Sequence, residues 1–352
     1  MYKNFILILF SLSLLPVSLP AISDVNSFFG DYEGVFTTPG RYPLNRSNSG
    51  CVAEVIPLGN NEYFINVMEN FTSRAEKIAT AQGRLENGKV VFENEIIQAV
   101  IANDSLQGQL LFRDRWLEFK LARIERLSPT MGAVPTDNAI VLFDGSGFDE
   151  WIGAGGQPVK WDIVNGNEAE VVPSGPNIRP KHDINTKREF SGLFLHLEFK
   201  LSLMAESRGQ QRANSGVIFE GLGEIQILDS YGLEGTWSEC GAIYRNSPPK
   251  VNMCLPPLTW QTFDIIFHTP GYDENGQRIK HGEITVFHNG KRIHYKYPLK
   301  GGPDQLDAGQ TGFPVSFRLQ DHQDVLWFRN IWAVDLNEHP DALPDFIRNI
   351  EL

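Results

Sequence analysis

The residues best suited to acid–base chemistry stand together in the short segment Glu-Ile-Gln-Ile-Leu-Asp. Side chains alternate between the two faces of a β-strand. The alternation predicts that Ile225 and Ile227 point into the core, while Glu224 and Gln226 share the opposite face and Asp229 stands at the strand end. A carboxylate beside an amide can transfer a proton and hold a hydroxyl group. The segment therefore indicates a candidate site.

Other predicted strands place polar residues outward by the same alternation. These residues are Asn214, Glu198, Gln320, His322 and Arg329. A solvated strand face explains any one of them, and Arg329 fits a structural ion pair equally well. Several such faces that converge are typical of the outer sheet on which sugar enzymes and lectins bind their ligands. We therefore expect a carbohydrate site.

One kind of catalytic chemistry open at such a site is direct glycoside hydrolysis, which requires two carboxylates. Glu224 would pair with Asp229 or with Glu198. A divalent metal is also open, because Glu, Asp, His and Asn are suitable ligands, but no spacing in the chain is diagnostic of one. No cofactor is therefore assigned.

Composition and charge exclude several classes of partner. The chain has 352 residues, of which 41% are hydrophobic and 21% charged, as in folded globular proteins. The length favours two domains, and 32 Gly, 21 Pro and 23 Phe favour strands and turns over long helices. A net charge of −12 without a basic run repels phosphate backbones and anionic lipids. We expect a carbohydrate partner, and neither nucleic acid nor a membrane.

The first 23 residues predict a signal peptide. Lys3 precedes an apolar run from Phe5 to Leu15, which is about half the length needed to span a bilayer. Ala21-Ile22-Ser23 then offers the small-x-small pattern of a cleavage site. The mature protein is expected to be secreted or periplasmic.

Cysteine usage agrees with export. Cys240 and Cys254 close a 15-residue loop, and Cys51 lies far upstream. A disulfide across a loop of this length adds about 3 kcal/mol in the chain-entropy model. In an oxidising compartment the spacing predicts a disulfide between Cys240 and Cys254, with Cys51 free.

The chain between the signal peptide and residue 137 is predicted to form an accessory domain and a linker. Residues 24–127 are expected to form a small antiparallel β domain, either a barrel or a sandwich, with a hairpin turn at Asn87-Gly88. The domain contains no cluster of carboxylates, His or Cys, so its predicted role is to pack on or shield the main domain. Residues 128–137 are rich in Pro, Gly and Thr and predict a linker.

Residues 138–336 predict the larger domain, which is also all-β. Short apolar runs recur along it, and Asn289-Gly290 predicts a hairpin between two of them. This spacing favours a two-sheet sandwich or jelly roll. The tail, residues 337–352, is expected to hold at most one short helix.

A resemblance to a known family rests on eight ordered motifs. They are Val-Leu-Phe-Asp-Gly (141–145), Asn-Ser-Gly-Val (214–217), Glu-Ile-Gln-Ile-Leu-Asp-Ser (224–230), Cys-Gly-Ala-Ile-Tyr (240–244), Trp-Gln-Thr-Phe-Asp (260–264), His-Asn-Gly (288–290), Leu-Gln-Asp-His (319–322) and Phe-Arg-Asn-Ile (328–331). Through these eight motifs, residues 138–336 resemble the 3-keto-disaccharide hydrolase domain family, and in particular a secreted subgroup common in planctomycete-like bacteria. The resemblance implies a concanavalin-like jelly roll.

The resemblance also implies a reaction, the cleavage of the glycosidic bond in 3-keto-glycosides or disaccharides. A ketone at C3 acidifies the proton at C2, so a base can remove this proton and expel the group at C1. Glu224 or His322 is the implied base or acid, and Tyr244 joins Asn214, Gln226 and Gln320 among the implied binding residues. The alternative is a lectin-like protein that binds carbohydrate without catalysis, since the same sandwich hosts lectins. A lectin would not need an acid–base couple.

Overall fold

The computed structural model describes residues 28–38, 50–74, 76–175, 177–178, 181–299 and 314–348. The predicted signal peptide, residues 1–23, lies outside the described residues. Strands account for nearly all regular structure in the described part of the chain, which confirms the predicted all-β class. None of the helices there combines the length and the apolar character that crossing a membrane requires.

Eight antiparallel strands form a closed barrel in the first part of the chain. They are β1 (Gly30–Phe36), β2 (Gly50–Gly59), β3 (Glu62–Met68), β4 (Ala79–Glu86), β5 (Lys89–Glu93), β6 (Ile97–Ala102), β7 (Ser105–Phe112) and β8 (Arg115–Ile124). Each strand pairs with the next, and β8 pairs with β1. Alternate side chains such as Ile65, Val90 and Phe92 fill the interior. Closure leaves the barrel without an edge strand. The sequence had left open whether this domain is a barrel or a sandwich.

Within the described residues, the second part of the chain contributes fifteen strands and one short α-helix. They are β9 (Ala139–Phe143), β10 (Trp151–Gly153), β11 (Asp162–Val164), β12 (Glu168–Glu170), β13 (Ile184–Thr186), β14 (Gly192–Leu201), β15 (Ser215–Phe219), β16 (Gly223–Ile227), β17 (Trp260–His268), β18 (Gly271–Tyr272), β19 (Arg278–Lys280), β20 (Gly282–His288), β21 (Lys291–Leu299), β22 (Phe317–Leu319), β23 (Leu326–Asp335) and α1 (Asp345–Arg348).

These strands build a two-layer sandwich, except for β18 and β19, which form a separate two-stranded sheet. The smaller sheet has the order β10-β13-β22-β15-β16, and the larger has the order β11-β12-β23-β14-β17-β20-β21, with β9 also paired to β23. One apolar cluster fills the space between the sheets, with Val217 and Phe219 from the smaller and Leu197 and Phe199 from the larger. The arrangement agrees with the predicted jelly roll.

Both predicted hairpins are confirmed. Asn87 and Gly88 join β4 to β5, and Asn289 and Gly290 join β20 to β21. All four residues have positive φ, as a two-residue turn between right-twisted strands requires.

The barrel and the sandwich contact each other through both apolar and polar side chains. Ile56 of β2 belongs to the core of the sandwich. Tyr231, in the loop after β16, donates a hydrogen bond to Asp31 Oδ1 of the barrel at 2.9 Å. Asn66 of β3 donates to the carbonyl of Gly232 in the same loop at 2.8 Å. The barrel therefore packs directly on the loop that follows β16.

The segment predicted as a linker is packed on the sandwich. Ser128 and Thr130 are both buried, and Thr130 donates to Asp264 Oδ2 of β17 at 2.7 Å. The backbone N–H of Gly132 donates to Glu198 of β14 at 2.6 Å. Because these bonds cover the outer face of the larger sheet, the segment is a structural part of the sandwich.

Candidate functional site

A continuous row of side chains crosses the outer face of the smaller sheet. Strand register pairs Ile152 with Asn185, Asn185 with Arg318, Arg318 with Ile218, and Ile218 with Glu224. The neighbours of these residues within each strand belong to the core, so the row faces outward. Glu224 therefore stands on a polar sheet face, as the alternation predicted.

A second row lies beside the first. Gly216 pairs with Gln226, and the backbone N–H of Gln320 donates to the carbonyl of Gly216 at 3.2 Å. The segment 242–244 then runs along β16, because the N–H of Tyr244 donates to the carbonyl of Glu224 at 2.9 Å. The structure thus brings together Glu224, Gln226, Gln320 and Tyr244, all of which the sequence proposed.

Three side-chain amides of this face carry unpaired oxygen atoms. Asn185 Oδ1, Gln226 Oε1 and Gln320 Oε1 are buried without a hydrogen-bond partner in the part of the chain that the structure describes. A buried acceptor without a donor costs about 1–3 kcal/mol. Three such acceptors mark this sheet face as a polar surface whose hydrogen bonds are incomplete within the described residues.

Glu224 is the ionisable group at the end of the first row. Burial raises its pKa to about 7, nearby Arg318 opposes this increase, and Asp183 adds to it. Its carboxylate fills the space above Gly216, where a Cβ atom would overlap Glu224 Oε1. A half-buried carboxyl with a pKa near neutrality can accept or donate a proton at physiological pH.

Arg318 is the cationic group of the same face. Its Nη1 lies 3.4 Å from Asp183 Oδ2, and its Nε lies 3.4 Å from Glu220 Oε1. Burial raises the pKa of Asp183, while a hydrogen bond from the N–H of Asp321 and the charge of Arg318 lower it. The face therefore combines one guanidinium with two carboxyls whose pKa values are raised.

His322 follows β22 at the border of this face and is half-buried. Burial and the charge of Lys181 lower its pKa, against the charge of Asp324. The imidazole is therefore neutral at pH 7. The adjacent Asp321 is fully buried and accepts backbone N–H groups from Ser174 at 2.9 Å and His182 at 3.1 Å. These bonds fix the chain that carries His322.

Asn214 belongs to the supports of the site. It is buried, and its Nδ2 donates to the carbonyl of Gln210 at 2.8 Å. Gln210 Oε1 also accepts Gln226 Nε2 at 2.9 Å. Asn214 therefore positions Gln226 through Gln210, and its amide group is already engaged.

Asp229 lies in a position that does not allow it to act as a catalytic group. It is fully buried and accepts Arg212 Nε at 3.1 Å and Arg212 Nη2 at 2.5 Å. Arg212 is itself buried. A carboxylate enclosed in this ion pair is not accessible to a sugar, so Glu224 and Asp229 do not form a hydrolytic pair.

Glu198 and Arg329 lie on the other side of the molecule. They belong to β14 and β23, whose outer face points away from the core of the sandwich. Glu198 Oε2 accepts Arg329 Nε at 2.6 Å, and Glu198 Oε1 accepts Asn330 Nδ2 at 2.9 Å. Packed sheets are about 10 Å apart, and Glu198 and Glu224 point outward on opposite sides. This separation exceeds what two-carboxylate hydrolysis allows, so these residues form a structural ion pair.

The predicted disulfide is not formed in the structure. Cys51, Cys240 and Cys254 are all buried free thiols. Burial and the neighbouring Cys240 thiol raise the pKa of Cys254 well above its usual value. The two cysteines are therefore neighbours in space, as the loop length suggested, but no disulfide joins them.

Four residues of the site escaped sequence reasoning. They are Asp183, Asn185, Gln210 and Arg318. Arg318 had a usable signal, because it precedes Gln320 by two residues in an alternating strand. Asp183 precedes and Asn185 lies within a three-residue strand, which is too short to show a period, and Gln210 lies in a single turn of 3-10 helix. No group of three or more His, Cys, Asp and Glu residues in the described ranges is arranged to hold a metal ion.

Comparison with known proteins places the sandwich in a family. A crystal structure of a candidate glycosyl hydrolase from Parabacteroides distasonis is 30% identical, covers 57% of this chain and 84% of that chain, and has a TM-score of 0.51. A second one from the same organism is 19% identical, with coverages of 58% and 98% and a TM-score of 0.44. Among curated proteins, none matches the chain.

An all-β sandwich with an outward polar sheet face and this likeness define a carbohydrate-active protein. The family model described as the 3-keto-alpha-glucoside-1,2-lyase-like domain matches residues 138–334. The match spans more than half of the chain, and the chain belongs to this family. The family resemblance carried by the eight ordered motifs is confirmed, whereas the secreted planctomycete-like subgroup stays a prediction.

Proposed function

We propose that this protein cleaves the glycosidic bond of 3-keto-glycosides by elimination at the outer face of the smaller sheet. One observation carries the proposal: Glu224, with a pKa of about 7, stands in one row with Arg318 and beside three amides whose oxygens have no partner. The amides suit sugar hydroxyls, and the carboxyl suits proton transfer. Export is part of the proposal and is supported by the apolar run at residues 5–15.

The proposed reaction has two steps. The Glu224 carboxylate removes the proton from C2, and the electron pair of the C–H bond forms an enolate with the C3 carbonyl. The enolate then collapses to a C1–C2 double bond and regenerates the ketone, while the C1–O bond breaks and its electrons leave with the aglycone oxygen. Arg318 is placed to stabilise the enolate charge. His322, a neutral imidazole, is proposed to hydrogen-bond the aglycone oxygen. The proton that the aglycone takes up comes from Glu224, which thereby regenerates its carboxylate.

A second mechanism is direct hydrolysis of the parent glycoside. Asp183 favours it, since this carboxyl lies close enough to Glu224 to raise its pKa. Two carboxyls on one face are the minimum that such hydrolysis needs. The two mechanisms differ in their products, because elimination leaves an unsaturated keto-sugar and hydrolysis leaves a free reducing sugar.

The test is a comparison of wild type and Glu224→Gln on matched pairs of 3-keto-glycosides and parent glycosides. We expect aglycone release from the keto substrates alone. Glu224→Gln should reduce release by about 10² to 10⁴, the contribution typical of a general acid or base. Binding without turnover across both series would establish the lectin alternative, and turnover of the parent glycosides would establish hydrolysis.

Glu54→Gln is the matched control for this test. Burial also raises the pKa of Glu54 to about 7, but this residue belongs to β2 of the barrel. We expect Glu54→Gln to retain turnover. A similar loss of activity in both variants would show that the effect of Glu224→Gln arises from folding and not from proton transfer.

A further inference from the structure

Trp237 is a large aromatic side chain exposed beside the proposed site. It is 53% exposed, and its ring centroid lies 6.4 Å from that of Tyr244 at an angle of 50° between the planes. Tyr244 is hydrogen-bonded through its backbone to Glu224. The two rings therefore extend the first row of the sheet face beyond Glu224.

The loop that carries Trp237 is held from both sides. Arg74 of the barrel donates through Nη2 to the carbonyls of Gly235 at 2.8 Å and Pro249 at 2.7 Å. Within the loop, Glu239 Oε2 accepts the N–H of Gly235 at 2.6 Å and that of Thr236 at 2.9 Å. The exposure of Trp237 is therefore a consequence of a well-bonded backbone.

One side chain joins this loop to the amides of the site. Gln210 Nε2 donates to the carbonyl of Ser238 at 2.8 Å, and Gln210 Oε1 accepts Gln226 Nε2 at 2.9 Å. Gln226 is the residue with an unpaired buried oxygen. Gln210 thus connects the backbone of Ser238, next to Trp237, to Gln226, whose side-chain oxygen has no hydrogen-bond partner in the described part of the chain.

We propose that Trp237 and Tyr244 form a subsite for a second sugar ring, next to the ring that is cleaved at Glu224. The inference rests on the proposed function for the position of the first ring. A pyranose has an apolar face of C–H groups and a rim of hydroxyls, so it can cover an aromatic ring while its rim bonds to neighbouring polar groups. The protein then prefers disaccharides over glycosides with a small aglycone.

The test measures binding, so it does not depend on turnover. Full-length protein with Glu224→Gln is titrated by calorimetry with a 3-keto-disaccharide and with the corresponding methyl 3-keto-glucoside. Trp237→Ala added to this protein should raise the Kd of the disaccharide about tenfold, which is about 1.4 kcal/mol. The Kd of the methyl glycoside should change by less than about twofold.

The control variant is Trp116→Ala. Trp116 is also exposed, but it lies on β8 of the barrel, and its removal should leave both Kd values unchanged. Equal losses for the two ligands in Trp237→Ala would overturn the second-ring subsite, and so would no loss for either. If wild type releases no aglycone while Trp237→Ala still weakens the disaccharide selectively, the elimination mechanism fails and the subsite stands.

Discussion

Burial raises the pKa of both Glu224 and Glu54, but the two carboxyls lie in different surroundings. Burial raises the pKa of each carboxyl from 4.5 to about 7. Glu54 lies 3.9 Å from Arg126 and accepts Asn66 Nδ2 at 3.3 Å, so its surroundings are occupied by protein. Glu54 also neighbours an unpaired acceptor, Asn66 Oδ1, so neither a raised pKa nor an unpaired acceptor identifies a site alone. Glu224 differs because it shares an outward sheet face with Arg318, whose guanidinium lies 3.4 Å from Asp183.

The pH dependence of activity follows from the pKa of Glu224. The proposed base acts as the carboxylate, so kcat/KM should rise with pH, reach half its maximum near pH 7 and then level off. The measurement is a pH–rate profile on a 3-keto-glycoside, with Glu54→Gln expected to give the same profile. A fall in kcat/KM above pH 7 would instead assign Glu224 as the acid.

The same carboxyls make stability depend on pH in the opposite direction. Each of these two carboxyls keeps its proton up to about pH 7 in the native protein but only up to about pH 4.5 in the unfolded chain, so its own contribution to the free energy of unfolding should fall as pH rises through this interval. Each pKa unit corresponds to about 1.4 kcal/mol. Urea unfolding of wild type and of each Glu→Gln variant at several pH values should show a difference in stability that changes across this interval. An unchanged dependence in both would contradict the raised pKa values.

Gly216 sets the position of the Glu224 carboxylate. A methyl group at residue 216 would overlap Glu224 Oε1, the end of a flexible side chain. Gly216→Ala should therefore move the carboxylate, lower kcat by at least about tenfold and change stability by less than about 1 kcal/mol, since a displaced catalytic group is costly even by 1 Å. Steady-state kinetics and thermal unfolding check this. A stability loss that matches the loss in activity would show a packing role instead.

Residue parity predicted part of the site and missed the rest for physical reasons. Alternation placed Glu224, Gln226 and Gln320 outward correctly, because an apolar neighbour marks the core side of each strand. It placed Glu198 outward correctly as well, but parity does not say to which sheet a strand belongs. Glu198 and Glu224 therefore looked like partners, although they lie on opposite sides of the molecule.

At the scale of elements, the segment 128–134 and the larger sheet form one buried polar cluster. His196 Nδ1 lies 2.6 Å from Asp264 Oδ1, and the other side of the ring approaches Glu198 Oε1 at 3.7 Å. Burial opposes the charge of His196, but hydrogen bonds to Asp264 and Glu198 raise its pKa to about 9. Gly132 and Thr130 complete the cluster through Glu198 and Asp264. The buried acids of this face therefore take their hydrogen bonds from the protein itself.

Glu198→Gln should destabilise the protein and leave its chemistry intact. Burial raises the pKa of Glu198, but hydrogen bonds from His196, Asn330 and Arg329 outweigh it and hold the pKa at about 2. Removing this charge leaves buried donors and Arg329 without their acceptor, at a cost of about 2–4 kcal/mol. Chemical denaturation should show this loss above about pH 4.5. Normal kcat/KM in the folded variant would separate Glu198 from the site, whereas a loss of kcat/KM would return it there.

At the scale of the whole molecule, the sequence predicted two all-β units but not how they join. Hairpin turns and alternation are local, so they identify strands, whereas barrel closure between β1 and β8 depends on contacts about 90 residues apart. The contact between the barrel and the sandwich could not be predicted from local patterns either, because Tyr231 and Asp31 are separated by 200 positions. The sheet order was accessible only through the ordered motifs of the family.

The packing of residues 128–134 has a consequence for how this sandwich can be inherited. The family match begins at residue 138, but the buried acids Glu198 and Asp264 take their backbone and hydroxyl donors from Gly132 and Thr130. A recombination that transferred only the matched region into another gene would leave these acids open to water on the far side of the sheet. The unit that evolution can move intact is therefore longer than the unit that sequence profiles recognise, and its upstream border lies before Ser128.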